Sequence, residues 1–181
     1  MKGNAFHGLL AVSAMLAALS GKSAAEESDA ELLARLPTSK HTLMEAIQVA
    51  SAGGALPISA KLEFEDGKLW LSVYAAKQGL ATPAEGNELF ELKGDATAAK
   101  WEPAREVFQD KEHLARASTQ LTLMQTTSLT LEAALAKATA QKAGTLYSII
   151  PAIKDGKTVL VTHARTAAGR STQIDIDAST K

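Results

Sequence analysis

Motifs that could support catalysis are incomplete in this sequence. The tripeptides GKS at 21–23 and GKT at 156–158 resemble the end of a phosphate-binding loop. That loop also needs a glycine five residues before its Gly-Lys pair, and the two positions hold Leu16 and Pro151. There is no Gly-x-Ser-x-Gly motif, and a chain without cysteine has no thiol nucleophile. We therefore predict that the protein is not an enzyme.

The titratable residues show no pattern typical of a metal site or an acid–base pair. His41, His113 and His163 are far apart, and no two of them have the spacing of metal ligands. Glu63 and Glu65 alternate along a predicted strand, as carboxylates on a solvated face do. Paired catalytic carboxylates need burial to separate their pKa values, and this pattern does not indicate burial. We predict no metal and no cofactor.

Two large aromatic residues, Trp70 and Tyr74, are the remaining candidates for function. In the hairpin register described below, they lie on the sheet face opposite Phe64 and Leu69. Such residues often anchor protein interfaces, so we predict that this aromatic face contacts a protein partner. The alternative is that a helix or the second half of the chain covers them.

The first 25 residues have the order of a secretory signal peptide. Lys2 precedes an apolar run at 9–19, and small residues lead to a predicted cleavage after Ala25. The run is shorter than the roughly 20 residues that span a bilayer, so we predict no membrane insertion after signal removal. Without cysteine, the chain has neither a lipid anchor nor disulfides. The predicted periplasmic or secreted protein therefore depends on packing alone.

The composition is that of a near-neutral globular protein. Removing residues 1–25 from the 181-residue chain leaves 156 residues, enough for one core or two small ones. The whole chain has 19 basic and 20 acidic residues, and the signal peptide contains Lys2 and Lys22, so the mature formal charge is −3. With no basic stripe, nucleic-acid binding is not expected.

The first predicted unit, 41–101, contains the signals of a helix followed by a hairpin. Thr42 and Glu45 form a capping-box sequence, and apolar residues then recur at helical spacing. An alternating strand pattern follows and leads to Asp66-Gly67, the pair that two-residue hairpin turns prefer. Pairing the residues that flank this turn puts six apolar residues on one face: Ala60, Leu62, Phe64, Leu69, Leu71 and Val73. A third strand is predicted in NELFELKGD.

The same order of features recurs in the second predicted unit, 128–181. The apolar helix positions 43, 46, 47 and 50 match 131, 134, 135 and 138 at an offset of 88, with Thr130 as the predicted cap. The Asp155-Gly156 turn matches the first turn at an offset of 89. Three features at nearly constant spacing predict a duplicated unit, and chance similarity among alanine-rich helices is the alternative. Because the second hairpin is apolar on both faces, we expect it to be covered on both.

Two further segments are predicted to be helical. The N-terminal segment 26–40 contains DAELLARL before Pro37, which indicates a short helix. The linker 102–127 begins near Pro103, a residue that suits the first turn of a helix. In that linker helix, one stripe would contain Ala104, Val107, Phe108 and Ala115 and would pack on the sheets.

The two units resemble the PepSY family. The resemblance rests on TLMEAIQVA, KLEFEDGKLWLSVYA and GDATAAKW in the first unit, and on TLEAALAKA, AIKDGKTVLVTHA and IDIDAST in the second. Family members usually close the last strand with Asp-Ala-x-Thr-Gly, whereas no glycine follows Thr97 here. The resemblance implies a helix on a small antiparallel sheet, outside the cytoplasm, in a non-catalytic protein that inhibits or regulates peptidases.

Together, these patterns predict an α+β protein of two tandem units, each a helix packed on a small antiparallel sheet, joined by a linker helix. The expected function is binding of a protein partner, with a peptidase as the specific hypothesis. The alternative is a periplasmic carrier or sensor that binds a small ligand between the units. An apolar cavity with a few inward polar groups would favour the carrier, and a filled seam would favour partner binding. A homodimer stays open, because an edge strand can pair with a copy of itself.

Overall fold

The computed structural model describes residues 24–179, and the side chains of residues 29–179. Nearly all of the predicted signal peptide, residues 1–23, therefore lies outside the described residues. The helices are α1 (Ala24–Arg35), α2 (Leu43–Ala52), α3 (Lys111–Gln125) and α4 (Leu131–Ala140). The strands are β1 (Leu56–Glu65), β2 (Lys68–Ala76), β3 (Leu89–Asp95), β4 (Ala104–Val107), β5 (Thr145–Lys154), β6 (Lys157–Arg165) and β7 (Ser171–Asp177). Short 3-10 turns lie at Leu36–Thr38 and Ala84–Gly86.

The described strands form one antiparallel sheet in the order β4-β3-β2-β1-β5-β6-β7, with helices packed against it. The predicted α+β class is confirmed. The first hairpin, β1–β2, also has the predicted register, from Glu65 opposite Lys68 to Ala60 opposite Val73. This agreement follows from the turn, because Asp66 and Gly67 have φ values of 51° and 75°, the left-handed pair that a two-residue type I′ turn requires.

The second hairpin reproduces the first residue for residue. Both of its strands have the bounds of their counterparts moved by 89 positions, from 56 to 145 and from 68 to 157. Even the irregularity recurs, since β1 has a register shift between Pro57 and Ser59 and β5 has one between Leu146 and Ser148. The turn at Asp155-Gly156 has φ values of 50° and 73°, close to those of the first turn.

Each unit begins with a capped helix. Thr42 accepts a hydrogen bond from the Glu45 backbone, and the Glu45 carboxylate accepts from the Thr42 backbone, so the predicted capping box forms. At the second cap, the Thr130 hydroxyl accepts from the Ala133 backbone, and alanine cannot return the bond. Both helices bury the predicted apolar positions: Leu43, Ala46, Ile47 and Ala50 in α2, and Leu131, Ala134, Leu135 and Ala138 in α4.

Each unit ends with the same closing turn after its third strand. Asp95 Oδ1 accepts from the backbone and the hydroxyl of Thr97, both at 2.7 Å, and Asp177 contacts Ser179 in the same way. The alanine in the middle of each turn also binds the segment that precedes the helix of the same unit. Ala96 O accepts from Lys40 N in the first unit, and Ala178 O accepts from Ser128 N in the second. The closing turn therefore forms although no glycine follows Thr97.

The two units join at the centre of the sheet. Ala60 of β1 lies opposite Ile149 of β5, its own counterpart 89 residues later, so a pseudo-twofold axis passes between them. Both residues are buried, at 1% and 0% exposure, and α2 and α4 pack over this inner face of the sheet. The buried apolar residues form one cluster that includes both helices, so the described units share a single core.

The linker differs from the prediction at its N-terminal end. Residues 104–107 are not helical but form β4, the edge strand that pairs with Phe90–Lys93 of β3. Trp101 packs over Gly94 and turns the chain back along β3, where pairing with an open strand edge outweighs local helix propensity. The helix begins after Asp110, whose carboxylate accepts from the backbones of Glu112 and His113. Ala104, Val107 and Ala115 of the predicted stripe are exposed, and α3 instead buries Ala117, Gln120, Leu121 and Met124.

The contact between Trp101 and Gly94 generates a stability prediction. A Cβ on Gly94 would lie 2.6 Å from Trp101 Nε1 and 3.2 Å from Pro103 Cα. We expect Gly94→Ala to lower the free energy of unfolding by about 1–3 kcal/mol. Gly53→Ala is the control, because Gly53 has a φ of −73° and 3.4 Å of clearance, and it should stay within about 0.5 kcal/mol. Urea denaturation measures both, and equal effects would contradict this packing.

The closing turn generates a prediction about pH. The hydroxyl of Thr97 and then its backbone N–H hold the pKa of Asp95 below its ordinary value. Because the folded pKa is depressed, the stabilisation is present above the unfolded pKa and is lost as pH falls through the folded one. Between about pH 5 and pH 2, we therefore expect the native protein to lose more stability than Asp95→Asn does. Thr97→Ala should reduce this loss, and parallel urea curves for all three proteins would contradict the mechanism.

Candidate functional site

The sheet face opposite α2 and α4, which we call the outer face, carries the candidate site. The pseudo-twofold axis divides it into two equivalent halves. The linker helix α3 crosses one of them, contacting β3, β2, β1 and β5. Because α3 occurs once in a duplicated chain, it covers only this half. The other half contains Glu63, Trp70, Tyr147 and His163. The linker helix α3 does not cross it, and α1 borders it through Asp29 and Leu32. We call it the open half.

Tyr74 lies in the covered half and is part of the core. Its side chain is 4% exposed, and its ring meets Phe108 edge to face at a centroid distance of 4.7 Å. His113, in the first turn of α3, stacks on Phe108 at 5.3 Å. Burial raises the pKa of the Tyr74 hydroxyl, and the nearby Glu91 charge adds to the rise. Tyr74 therefore follows the alternative raised from the sequence: the linker covers its ring, and it is not part of an exposed aromatic face.

Trp70 lies in the open half and is partly exposed. Lys68 and Lys93 each place an ammonium group 5.6 Å from the centre of its ring. These cation–π contacts fix the position of the indole without covering it. Of the two aromatic residues of the predicted surface, Tyr74 is covered by Phe108 and the start of α3, and Trp70 is accessible.

A row of ion pairs runs beside Trp70. Lys93 Nζ lies 2.7 Å from a Glu65 oxygen and 3.4 Å from a Glu63 oxygen, and Glu63 also pairs with Lys61. The hydrogen bond from Lys93, and then its charge, lower the pKa of Glu65. The row contains two lysines and two glutamates, so the surface beside the indole is polar but balanced in formal charge.

A groove separates the two units in the open half. The ladder between β1 and β5 consists of the pairs Ala60–Ile149 and Lys61–Ser148, and beyond them the strands part. The groove has a volume of about 550 Å³. The first unit contributes Lys61 and Glu63 to its wall, and the second contributes Tyr147, His163 and Ser171. The helix α1, which precedes both units, adds Asp29 and Leu32. The Tyr147 hydroxyl lies 2.7 Å from Ser171 Oγ, and the Tyr147 ring lies 5.9 Å from that of His163.

The groove occupies, in the open half, the position equivalent to the surface beneath α3. At an offset of 89, His163 corresponds to Tyr74 and Ser148 to Ser59. Tyr74 and Ser59 contact the Phe108–α3 segment, whereas His163 and Ser148 line the groove. Sequence analysis did not identify His163 and Tyr147 as site residues. The repeat could have identified His163, because the offset of 89 maps the candidate residue Tyr74 onto it.

The described residues contain no metal-ligand cluster of three or more histidine and carboxylate side chains. The three histidines occupy separate places: His41 contacts Ala98 O at 3.0 Å, His113 contacts Asp110 at 2.8 Å, and His163 lies beside Tyr147. That the protein is not an enzyme stays a prediction. In residues 24–179, no helix has the length and apolar character needed to cross a membrane.

Comparisons with known proteins identify no relative in sequence. No family model matches the chain, and no curated protein matches it. Among solved structures, a chain described as a "putative lipoprotein" from Clostridium difficile 630 aligns with a TM-score of 0.37 and 16% identity. The alignment covers 78% of this chain and 89% of that one. The resemblance to the PepSY family stays a prediction.

The different environments of Tyr74 and Trp70 generate a prediction. Truncating a buried aromatic ring leaves a cavity, so Tyr74→Ala should lower the free energy of unfolding by about 3 kcal/mol or more. Trp70→Ala removes a partly exposed ring and should cost about 1 kcal/mol. Urea denaturation of the two variants against the native chain tests this order. If Trp70→Ala is the more damaging change, the indole is core and the open half is not a free surface.

Proposed function

We propose that this chain is a non-catalytic, extracytoplasmic protein that binds a protein partner through the open half of its outer face. The observation that carries the proposal is the solvent-open groove that α3 does not cross. Two equivalent halves follow from the duplication, and one of them has α3 packed across it. A segment of a partner lying in the groove beside Trp70 would cover the other.

The chemistry of the open half suits a protein ligand. Trp70 and Tyr147 combine large apolar surface with a polar group, the combination common at the energetic centres of interfaces. The ion pairs of Lys61, Lys93 and Glu63 surround the indole as a polar rim. The groove is open and mixed in character rather than an enclosed apolar chamber, which supports a macromolecular surface over a small apolar ligand.

The seam between the units is filled at its centre on the inner face, where Ala60 and Ile149 are buried. Beside the start of α2, a solvent-open pocket of about 290 Å³ lies between the units, with Leu43 on one side and Leu135 and Leu146 on the other. This mainly apolar pocket is where the alternative function, a small-ligand carrier, would place its ligand.

The location and the peptidase hypothesis rest on sequence. The signal-peptide pattern of residues 1–25 and the lack of cysteine support export to the periplasm or the medium. The resemblance to the PepSY family supports a peptidase as the partner, whose activity the bound protein would restrain.

Affinity capture with surface variants tests the proposal. The tagged mature chain, Trp70→Ala and a control, Val49→Ala, are each incubated with the native extracytoplasmic fraction. Val49 is 45% exposed on α2, remote from the outer face. We expect the native chain and the control to retain the same protein, and Trp70→Ala to retain at least about tenfold less, because loss of an aromatic anchor costs more than 1.4 kcal/mol.

Retention of the same protein by Trp70→Ala, with its fold verified by circular dichroism, would contradict the proposed surface. The recovered partner is then assayed for casein hydrolysis with and without the native chain. A fall in hydrolysis that Trp70→Ala does not produce would support peptidase regulation. A partner without peptidase activity would remove that part of the proposal and leave the binding surface in place.

A further inference from the structure

We propose that a cavity beneath α3, on the covered half of the outer face, binds a small organic carboxylate. The cavity has a volume of about 250 Å³ and lies between the sheet and the middle of the helix. Its polar lining consists of Ser59, Lys61, Ser72, Tyr74, Arg116 and Gln120. Ile150 of the second unit forms an apolar wall.

Buried polar groups line this cavity where apolar packing would be expected. Ser59, Ser72 and Gln120 are 6%, 1% and 7% exposed. Burying a polar side chain under a helix is unfavourable unless its hydrogen bonds are made. Gln120 Oε1 accepts from the Ser59 hydroxyl at 2.7 Å, whereas its Nε2 amide has no acceptor among the described residues. Gln120 is 7% exposed as a residue, and its amide N–H group keeps access to the cavity that the residue lines, where no described protein atom accepts from it.

The cavity also brings two cations together. Arg116 comes from α3 and Lys61 from β1, and both line it. Each already pairs with a surface carboxylate of its own strand or helix, Lys61 with Glu63 and Arg116 with Glu112. Burial and then Glu91 raise the pKa of Tyr74, so its hydroxyl stays protonated at neutral pH and can donate.

These donors define the class of ligand. A guanidinium, an ammonium, a phenol hydroxyl and an amide N–H suit a carboxylate, which can accept several hydrogen bonds at once. The cavity volume corresponds to about eight water molecules, so a ligand of about eight non-hydrogen atoms fits. The Ser72 hydroxyl already donates to Glu91, so it is not counted among the donors to the ligand. Ile150 can contact a short aliphatic chain.

The site depends on α3 and does not recur in the groove. In the second unit Ser148 replaces Ser59 and His163 replaces Tyr74, but the position of Lys61 holds Ile150. Among the described residues, α1 is the helix that borders the groove, and it contributes Asp29 and Leu32 where α3 contributes Arg116 and Gln120. The carboxylate site is therefore independent of the proposed partner surface. Lys61 borders both cavities, so it is unsuitable for a test that must separate them.

Titration of the full mature chain with succinate tests the proposal. Succinate has the expected size, succinamide is its neutral analogue, and inorganic phosphate is the competing anion. The variant is Arg116→Gln, and Arg105→Gln is the matched control, because Arg105 lies on β4 in an ion pair with Glu88 away from the cavity. Binding is measured by calorimetry, and NMR follows the Gln120 side-chain amide.

We expect succinate to bind and to shift the Gln120 amide resonances. Arg116→Gln should weaken binding at least about tenfold, and Arg105→Gln less than about twofold, because only the first removes a charge-assisted hydrogen bond from the ligand. Three results would overturn the proposal: no binding of succinate at about 10 mM, equal loss in the two variants, or succinamide or phosphate binding as tightly as succinate. The capture experiment with Trp70→Ala tests the open half, so its outcome leaves these three criteria for the cavity unchanged.

Discussion

The pairing of Ala60 with Ile149 is the contact on which the rest of this structure depends. Each unit alone is a helix on three strands, with β1 or β5 as an unpaired edge. Joining these two edges removes both from solvent and makes one sheet from two. It also sets α2 beside α4, where Ser51 donates to Glu132 at 2.9 Å, so the buried faces of both helices become one core. Alanine opposite isoleucine fits this position, because a small and a large side chain share the space on the axis.

The same seam creates the asymmetry from which we infer function. A twofold arrangement presents two equivalent outer surfaces, but the chain between the units supplies one helix. Phe108 and α3 cover Tyr74, whereas its counterpart His163 lies in an open groove that α1 borders. The linker helix thus completes the core on one side and leaves a groove on the other. A single linker helix cannot cover both halves of a duplicated sheet, and the residues of the second half then determine whether it is inert or binds.

Local signals predicted much of this fold, and nonlocal pairing accounts for the rest. The Thr42–Glu45 cap, the Asp66-Gly67 turn and the register they imply depend on residues close in sequence, and the structure confirms them. The strand at Ala104–Val107 was predicted as helix, because only the open edge of β3 determines its conformation. Trp70 and Tyr74 have the same strand, face and chemical type, so sequence cannot separate them. Where α3 crosses the sheet decides which is buried, and Arg116 and Gln120 become cavity residues by that crossing alone.

The distribution of polarity on the outer face is the reverse of what stability alone would select. Beneath α3, where apolar side chains would gain most from burial, lie two serines and a glutamine, Ser59, Ser72 and Gln120. In the open half, an indole is left partly in solvent, held between Lys68 and Lys93. Both features have a cost in stability, since the buried serines and glutamine replace apolar packing and the indole keeps apolar surface in water. The two binding sites proposed above, for a carboxylate under the helix and for a protein segment beside Trp70, would give each feature a role.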